Sequence, residues 1–300
     1  MSDPVRLTFE QPPSLGSGYR RAFLDALVRR KRGPTAQHPQ EALEATCGNL
    51  RVDPGQVEAY RRVCGFPEGM EVPVTFPHIL AAPLHLALLT HPRCLIPAAG
   101  IIHARNLIRQ FQPLAAGQPL AITTRLEGHR DVRNGYEADV LTEATQDDET
   151  LWESVTTVFV RRKSPEAAAP SSAGKAPAPT ADELPVRQAL DLSLPADQGR
   201  RYAAVSGDYN PIHLYPWTAR LLGFSRPIIH GMWSLARCVA AMPTPPLPHA
   251  LEVEFRRPIS LPGKVRLEEG ACEGGSFFRM IDSASGKPCL TGRFVAVPRG

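Results

Sequence analysis

The sequence predicts an α+β protein in two similar halves, each an apolar helix followed by an antiparallel meander. Three observations carry this. Residues 164–183, beginning "SPEAAAPSSAGKAPAPTAD", are low-complexity Ala, Pro and Ser and divide the chain. Such a composition buries too little apolar surface to offset the entropy of ordering it, so a flexible linker is expected. The flanking segments, 1–163 and 184–300, are each of ordinary domain size. Finally, the two halves share short patterns in the same order.

The first shared pattern pairs "DPGQVEAYRRVCGF" (53–66) with "PADQGRRYAAVSGD" (195–208). Gln56 then matches Gln198, Tyr60 matches Tyr202, Val63 matches Val205 and Gly65 matches Gly207. The second aligns 102–128 with 248–270 with one gap. Two matches in order indicate a duplicated fold.

In the second half, 198–205 reads as a helix with Asp197 at its N-cap and Gly207 ending it. "PWTARLLGF" reads as a short helix stopped by Gly223, and "HGMWSLARCVAAM" as a more apolar one stopped by "PTPP". Four strand-like runs follow, "LEVEFRRPI", "KVRLEEGAC", "SFFRMIDSA" and "CLTGRFVAV", separated by Gly- and Pro-containing turns. The first half repeats the order with "ILAAPLHLALL", then "NLIRQFQPL", "LAITTRLEG", "EADVLTEAT" and "WESVTTVFV". A sheet curled around a central helix is expected in each half.

Composition narrows the function classes. The chain has 300 residues, a net charge of +4 and six cysteines scattered without C-x-x-C pairs. Scattered thiols fit a reducing compartment better than a disulfide frame or a zinc site. No apolar run approaches the roughly 20 residues needed to cross a bilayer, and the start lacks the pattern of an export signal. A cytoplasmic protein is expected. The mild, spread charge gives no case for nucleic-acid binding. "GYRRAFLDALVRRKRG" reads as a basic surface helix, with a membrane-surface role as its alternative.

The chemistry concentrates in "SGDYNPIH" (206–213). Asp208 and His213 flank an Asn-Pro turn, a spacing that fits neither a helix face nor a strand face. Pro211 fixes φ near −65° and Asn-Pro favours turn initiation, so the loop is rigid and aims two titratable groups at one point. Asn210 is expected to orient one of them, Ser206 to anchor the loop and Gly207 to supply a left-handed backbone. Gly231, at the start of the apolar helix, leaves backbone N–H groups without intrahelical acceptors. His230 precedes it as a buttress. Metal binding by Asp208, His213 and His230 is the alternative; the spacing is not that of a helical zinc motif, and no metal is expected.

"SGDYNPIH" followed by "GF-x-x-PIIHGM" resembles the MaoC-like dehydratase family, which includes the (R)-specific enoyl-CoA hydratases. The resemblance covers about 190–300, and "HGMW" and "YRRVCGF" are similar to segments of two-domain 3-hydroxyacyl-thioester dehydratases. It implies a double hot-dog fold with a degenerate leading domain. It implies reversible hydration of a trans-2-enoyl thioester to a (3R)-3-hydroxyacyl thioester, on coenzyme A or acyl carrier protein, without metal or redox cofactor. The family's catalytic pair falls on Asp208 and His213, and its oxyanion N–H on Gly231. Tyr215 stands where many members carry an acidic residue. Arg237, Arg256 and Arg257 are candidates to meet the carrier's phosphates, or else are solvated arginines beside strands.

The first half has Phe66 where the second has Asp208, and Glu71 where it has His213. Phe exchanges no protons, so one active site per chain is expected, and the first-half histidines (His78, His85, His91, His103, His129) are expected to be structural or on the surface. A hot-dog thioesterase and a non-catalytic acyl-thioester-binding subunit are the competing functions, and a monomer and a homodimer both stay open.

Overall fold

The structure, a computed structural model, describes residues 5–28, 33–35, 38–69, 71–98, 101–162 and 184–297. The expected linker, 164–183, lies outside the described residues. The chain forms two compact units that are not contiguous in sequence. Of the described residues, the first takes those up to Arg51, those within Leu80–Asn106 and 118–162; the second takes those within Val52–Ile79, Leu107–Gly117 and 184–297. Among the described residues, no helix is long and apolar enough to cross a membrane.

In the first unit, strands β1 (Val5–Phe9), β2 (Leu43–Arg51), β4 (Pro119–Val132), β5 (Gly135–Gln146) and β6 (Glu149–Arg161) neighbour one another in that order. β1 runs parallel to β2 and the other pairs are antiparallel. The long strands alternate buried and partly exposed residues as a one-sided sheet requires; β2 buries Leu43, Ala45 and Cys47. Asp147 and Asp148 both adopt positive φ in the two-residue β5–β6 turn, the conformation that matches strand twist. Helix α1 (Leu15–Val28) is the helix expected from "GYRRAFLDALV". Helix α3 (Pro77–Leu89) is apolar on all sides, and within this unit Leu84 and Leu88 are fully buried. Strand β3 (Ile102–Gln110) is divided between the two units.

The second unit carries the strand order β8 (His249–Phe255), β11 (Lys287–Ala296), β10 (Gly275–Asp282), β9 (Gly263–Cys272), β7 (Gln188–Leu194), antiparallel throughout. Helix α6 (Gly231–Val239) lies against β10 and β11 and buries Met232, Trp233, Leu235, Ala236 and Val239. Phe277, Phe278 and Phe294 fill the sheet side of this core. Phe278 stands opposite Gly292 in the β10–β11 register, and its ring occupies the space where a side chain at 292 would project.

Helices α2 (Pro54–Cys64) and α4 (Gln198–Ser206) pack on each other within the second unit, although α2 lies in the first half of the sequence. The shared pattern is visible in space. Gly65 and Gly207 end the two helices at φ 80° and 73°, a left-handed conformation that costs glycine nothing. The Tyr60 and Tyr202 rings lie 6.1 Å apart, and Gln56 Nε2 donates to the Val205 carbonyl at 2.9 Å.

Several details differ from the sequence expectation. Asp197 sits at the N-cap position of α4 but makes no cap bond; its carboxylate accepts from Arg201 Nε at 2.9 Å. An i,i+4 ion pair has displaced the cap. Strands β1, β2 and β7 were not expected. β7 is exposed along most of its length. Pairing of its backbone with β9, from Gln188 opposite Glu269 to Leu194 opposite Gly263, sets its conformation. Phe278→Ala is expected to lower stability by about 3–5 kcal/mol, the cost of emptying a buried aromatic site, read as a lower urea midpoint at unchanged slope.

Candidate active site

The loop after α4 is built from side chains that bond their own backbone. Ser206 Oγ donates to the Tyr202 carbonyl at 2.8 Å and accepts from the Asp208 N–H at 3.2 Å. Asp208 Oδ1 in turn accepts from the Asn210 N–H at 3.1 Å. Such turns tolerate few backbone alternatives, so the Asp208 carboxylate is aimed by its own loop. Asn210 Oδ1 caps the next element, a 3-10 turn over Pro211–His213, by accepting from Ile212 N at 3.4 Å. Asn210 therefore meets Asp208 through its backbone N–H, while its side chain holds the turn that carries His213.

His213 is pinned from two sides. The first turn of α4 passes so close that a Cβ on Gly199 would lie 2.1 Å from the His213 carbonyl oxygen. On the other side, His213 Nδ1 lies 2.7 Å from the Ile228 carbonyl. A carbonyl only accepts, so Nδ1 carries the proton and Nε2 keeps the lone pair. The same logic applies to His230, whose Nε2 stands 3.0 Å from the Asp208 carbonyl and donates to it. His230 Nδ1 is then an acceptor, buried and without a hydrogen-bond partner.

The two imidazoles stack, with ring centroids 3.7 Å apart and planes inclined by 30°. His213 is 8% exposed and His230 2%. Burial, and for His213 the neighbouring His230, push both pKa values below the ordinary histidine range; the Asp208 carboxylate works against this, its Oδ2 lying 3.8 Å from His230 Nε2. The site thus holds two neutral imidazoles beside one carboxylate that remains 38% exposed.

One ligand atom from each of Asp208, His213 and His230 falls within 4.8 Å of the others. A metal would have to lie near the planes of both rings at roughly 2.0–2.1 Å. Planes stacked face to face do not converge at that distance, and one nitrogen of each ring is already spent on a carbonyl. The arrangement fits proton transfer better than metal binding.

Gly231 opens α6 with His230 as its N-cap, and no side chain caps the helix. Its N–H is among those that have no intrahelical acceptor. A Cβ at 231 would meet the Phe255 ring at 3.1 Å, so glycine here answers to packing as well as to the site. The three candidate arginines separate. Arg256 pairs with Glu254 at 3.1 Å, and Arg257 donates to the Pro288 carbonyl at 2.9 Å. Arg237 lies over Gly65, in a cleft of about 210 Å³ that Arg62, Gln198 and Trp233 also line. Tyr215, at the N-cap of α5 (Pro216–Leu221), lies under the Arg200 guanidinium, 5.0 Å from ring centre to Cζ.

One of the first-half histidines expected to be structural or on the surface is in electrostatic reach of Asp208. His78, at the start of α3, feels the Asp208 carboxylate, which raises its pKa, while burial dominates and holds it down to about 4. The legible signal was positional: "HIL" begins the apolar helix of the first half as "HGM" begins that of the second.

A sequence profile described as "MaoC like domain" matches residues 177–286. The chain is 34% identical to 3-hydroxyacyl-thioester dehydratase X of Mycobacterium tuberculosis, over 82% of this chain and 86% of that protein. It is 29% identical to peroxisomal enoyl-CoA hydratase 2 of Arabidopsis thaliana over 47% of this chain and 48% of that protein. The crystal structure of the M. tuberculosis dehydratase HtdX superposes with a TM-score of 0.73 at 30% identity, covering 85% of this chain and all (100%) of that one. A further M. tuberculosis protein, described as having a double hotdog fold, superposes at 0.54 with 13% identity over 90% of this chain and 99% of its own, a likeness of fold alone.

Stability should fall as pH drops below about 6.5. The unfolded chain then binds protons on histidines that the folded chain keeps neutral, so stability rises with pH through that window and levels off above about pH 7. His78, His213 and His230 all contribute in this direction, each up to about 1.4 kcal/mol per pH unit. Urea midpoints measured from pH 5 to 8 check it; a midpoint constant across the range contradicts it.

Proposed function

The chain belongs to the MaoC-like dehydratase family, in its double hot-dog form, and we propose that it interconverts a trans-2-enoyl thioester and a (3R)-3-hydroxyacyl thioester in fatty-acid metabolism. It is a hydro-lyase. The observation that carries the assignment to a site is the meeting of Asp208 and His213 beside the uncapped start of α6, with His213 held in the tautomer that leaves Nε2 basic.

In the hydration direction, a water sits between the Asp208 carboxylate and His213 Nε2. As the water oxygen bonds to C3 of the enoyl group, His213 Nε2 takes its proton. The C2=C3 electron pair moves toward the thioester oxygen, which accepts from the Gly231 N–H at the positive end of α6. The imidazolium then returns the proton to C2. Water has been added across the double bond and His213 is neutral again. Dehydration runs the same steps backward.

The depressed pKa of His213 eases proton donation to C2 and makes proton uptake from water correspondingly harder. An imidazolium formed in a buried site beside another imidazole is a stronger acid than one in water, so it gives its proton to C2 readily. The carboxylate of Asp208 offsets part of that cost at the moment the charge forms. Asp208 thus positions the water and steadies the transient cation, while His213 carries the proton.

Hydration of crotonyl-CoA, followed as loss of enoyl absorbance, tests this reading. Asp208→Asn and His213→Ala are each expected to lower kcat by about 10²–10⁴-fold, the worth of a positioned acid–base group, with the fold intact by circular dichroism. Activity that survives both substitutions overturns the site. Release of free thiol from the same substrate by the wild-type protein, without loss of enoyl absorbance, overturns the reaction in favour of thioester hydrolysis. Asn210→Ala should lower kcat more than it raises KM, because the turn it caps aims His213 without touching substrate.

A further inference from the structure

The cleft beside Arg237 lies within the second unit and away from the catalytic pair. Trp233 and Arg237 stand i,i+4 on α6 and present one face of that helix to it. Arg237 comes six residues after Gly231, about 9 Å along the helix axis at about 1.5 Å per residue. The end of α2 and strand β7 complete the lining through Val63, Gly65, Leu192 and Leu194. At about 210 Å³ the cleft has the space of roughly seven waters at about 30 Å³ each, enough for a short-chain molecule.

Two polar groups in this cleft are left over by the protein's own bonding. The first is the Arg237 guanidinium. It rests over Gly65, 3.3 Å from where a Cβ would stand, and makes no hydrogen bond or ion pair among the described residues. The acids next to the lining segments are committed elsewhere: Glu58 to Arg62 at 3.6 Å, Asp191 to Arg266 at 3.6 Å and Asp197 to Arg201 at 2.9 Å. Burial pushes the Cys64 thiol up to about 12, so it stays neutral and offers Arg237 no counter-charge. The second group is the Gln198 amide, and the duplication shows what it would otherwise do. Its counterpart Gln56 donates to the Val205 carbonyl at 2.9 Å, and the matching acceptor for Gln198 is the Val63 carbonyl. Val63 instead accepts from Trp233 Nε1 at 3.0 Å. Gln198 is 8% exposed, lines the cleft and has no side-chain hydrogen bond among the described residues. A buried amide left unpaired is costly, so its place here calls for an outside partner.

We propose that this cleft is a binding site, separate from the catalytic pair, for a small monocarboxylate with a short apolar tail. One free guanidinium matches one negative charge, and its planar fork fits the two oxygens of a carboxylate. Gln198 supplies a further N–H donor from the same cleft. Arg62 is held by Glu58 and adds little net charge, which disfavours a phosphate dianion. Val63, Leu192, Leu194 and the Trp233 ring give the tail an apolar lining, the usual make-up of a small-molecule site with a few placed polar groups. The proposal does not rest on the hydratase reading, since it uses neither Asp208 nor His213.

Hexanoate is the probe, titrated calorimetrically into the full chain, with hexanol and inorganic phosphate as comparators. Hexanoate is expected to bind at least about tenfold more tightly than either comparator. Arg237→Gln and Gln198→Leu should each weaken it about tenfold or more. Gln198→Glu brings a tethered carboxylate into the cleft; it should abolish hexanoate binding while the melting temperature of the unliganded protein holds or rises. In the wild type, hexanoate should shift the Trp233 indole N–H resonance and leave that of Trp152, in the first unit, in place; this readout needs no variant to fold. Hexanoate should still bind in the presence of saturating crotonyl-CoA. The proposal is overturned if hexanoate fails to bind, if hexanol or phosphate binds as tightly, or if all three variants bind it as the wild type does. Displacement of hexanoate by crotonyl-CoA also overturns it, by making the cleft part of the substrate's own path. A chain that hydrates no enoyl thioester yet binds hexanoate in this way leaves the proposal standing while the hydratase reading falls.

Discussion

The site depends on the hydrogen bond from His213 Nδ1–H to the Ile228 carbonyl. It selects the tautomer, and with it the nitrogen that is left as an acceptor. The carbonyl is itself held on both sides, since Ile228 N donates to the Ile212 carbonyl at 3.1 Å and Ile229 N to the Ile259 carbonyl at 2.9 Å. The segment that leads into α6 is therefore tied at once to the catalytic turn and to the strand region. His230 follows directly, donates to the Asp208 carbonyl and stacks on His213. One short run of chain thus supplies the acceptor that orients His213, a ring that adds to burial in lowering its pKa, and the start of α6.

The two halves solve the same packing problem with different chemistry. α2 and α4 both end in a left-handed glycine, and both present a tyrosine to their common interface. After Gly207 comes a carboxylate turned into a polar loop. After Gly65 comes Phe66, which stacks on Tyr60 at 6.2 Å, with Phe76 edge-on to the same ring at 5.3 Å. The first-half segment has aromatic contacts where the second has a polar turn, each such pair contributing about 0.5–1.5 kcal/mol beyond simple burial.

Much of this was legible because it is local. The glycine stops, the Asn-Pro turn, the apolar helices and the meander of β8 to β11 all follow from short-range spacing. What was not legible depends on partners distant in sequence. β7 takes its conformation from β9. Asp197 prefers Arg201 to its own helix start. The stacking of His213 on His230 joins residues seventeen apart, and the Asp208 carboxylate acts on the pKa of His78 from the other half of the sequence. Gly199 was passed over because the reason for it is the His213 carbonyl, which no spacing within α4 reveals.

The central claim is that His213 is a buried, neutral base whose proton stays on Nδ1. Nitrogen-15 NMR of histidine-labelled protein reads both properties at once. The account predicts that His213 shows the Nδ1–H tautomer and remains neutral as pH falls through about 6, where an ordinary imidazole takes up a proton. An Nε2–H tautomer, or an imidazolium already formed at about pH 6, would contradict it.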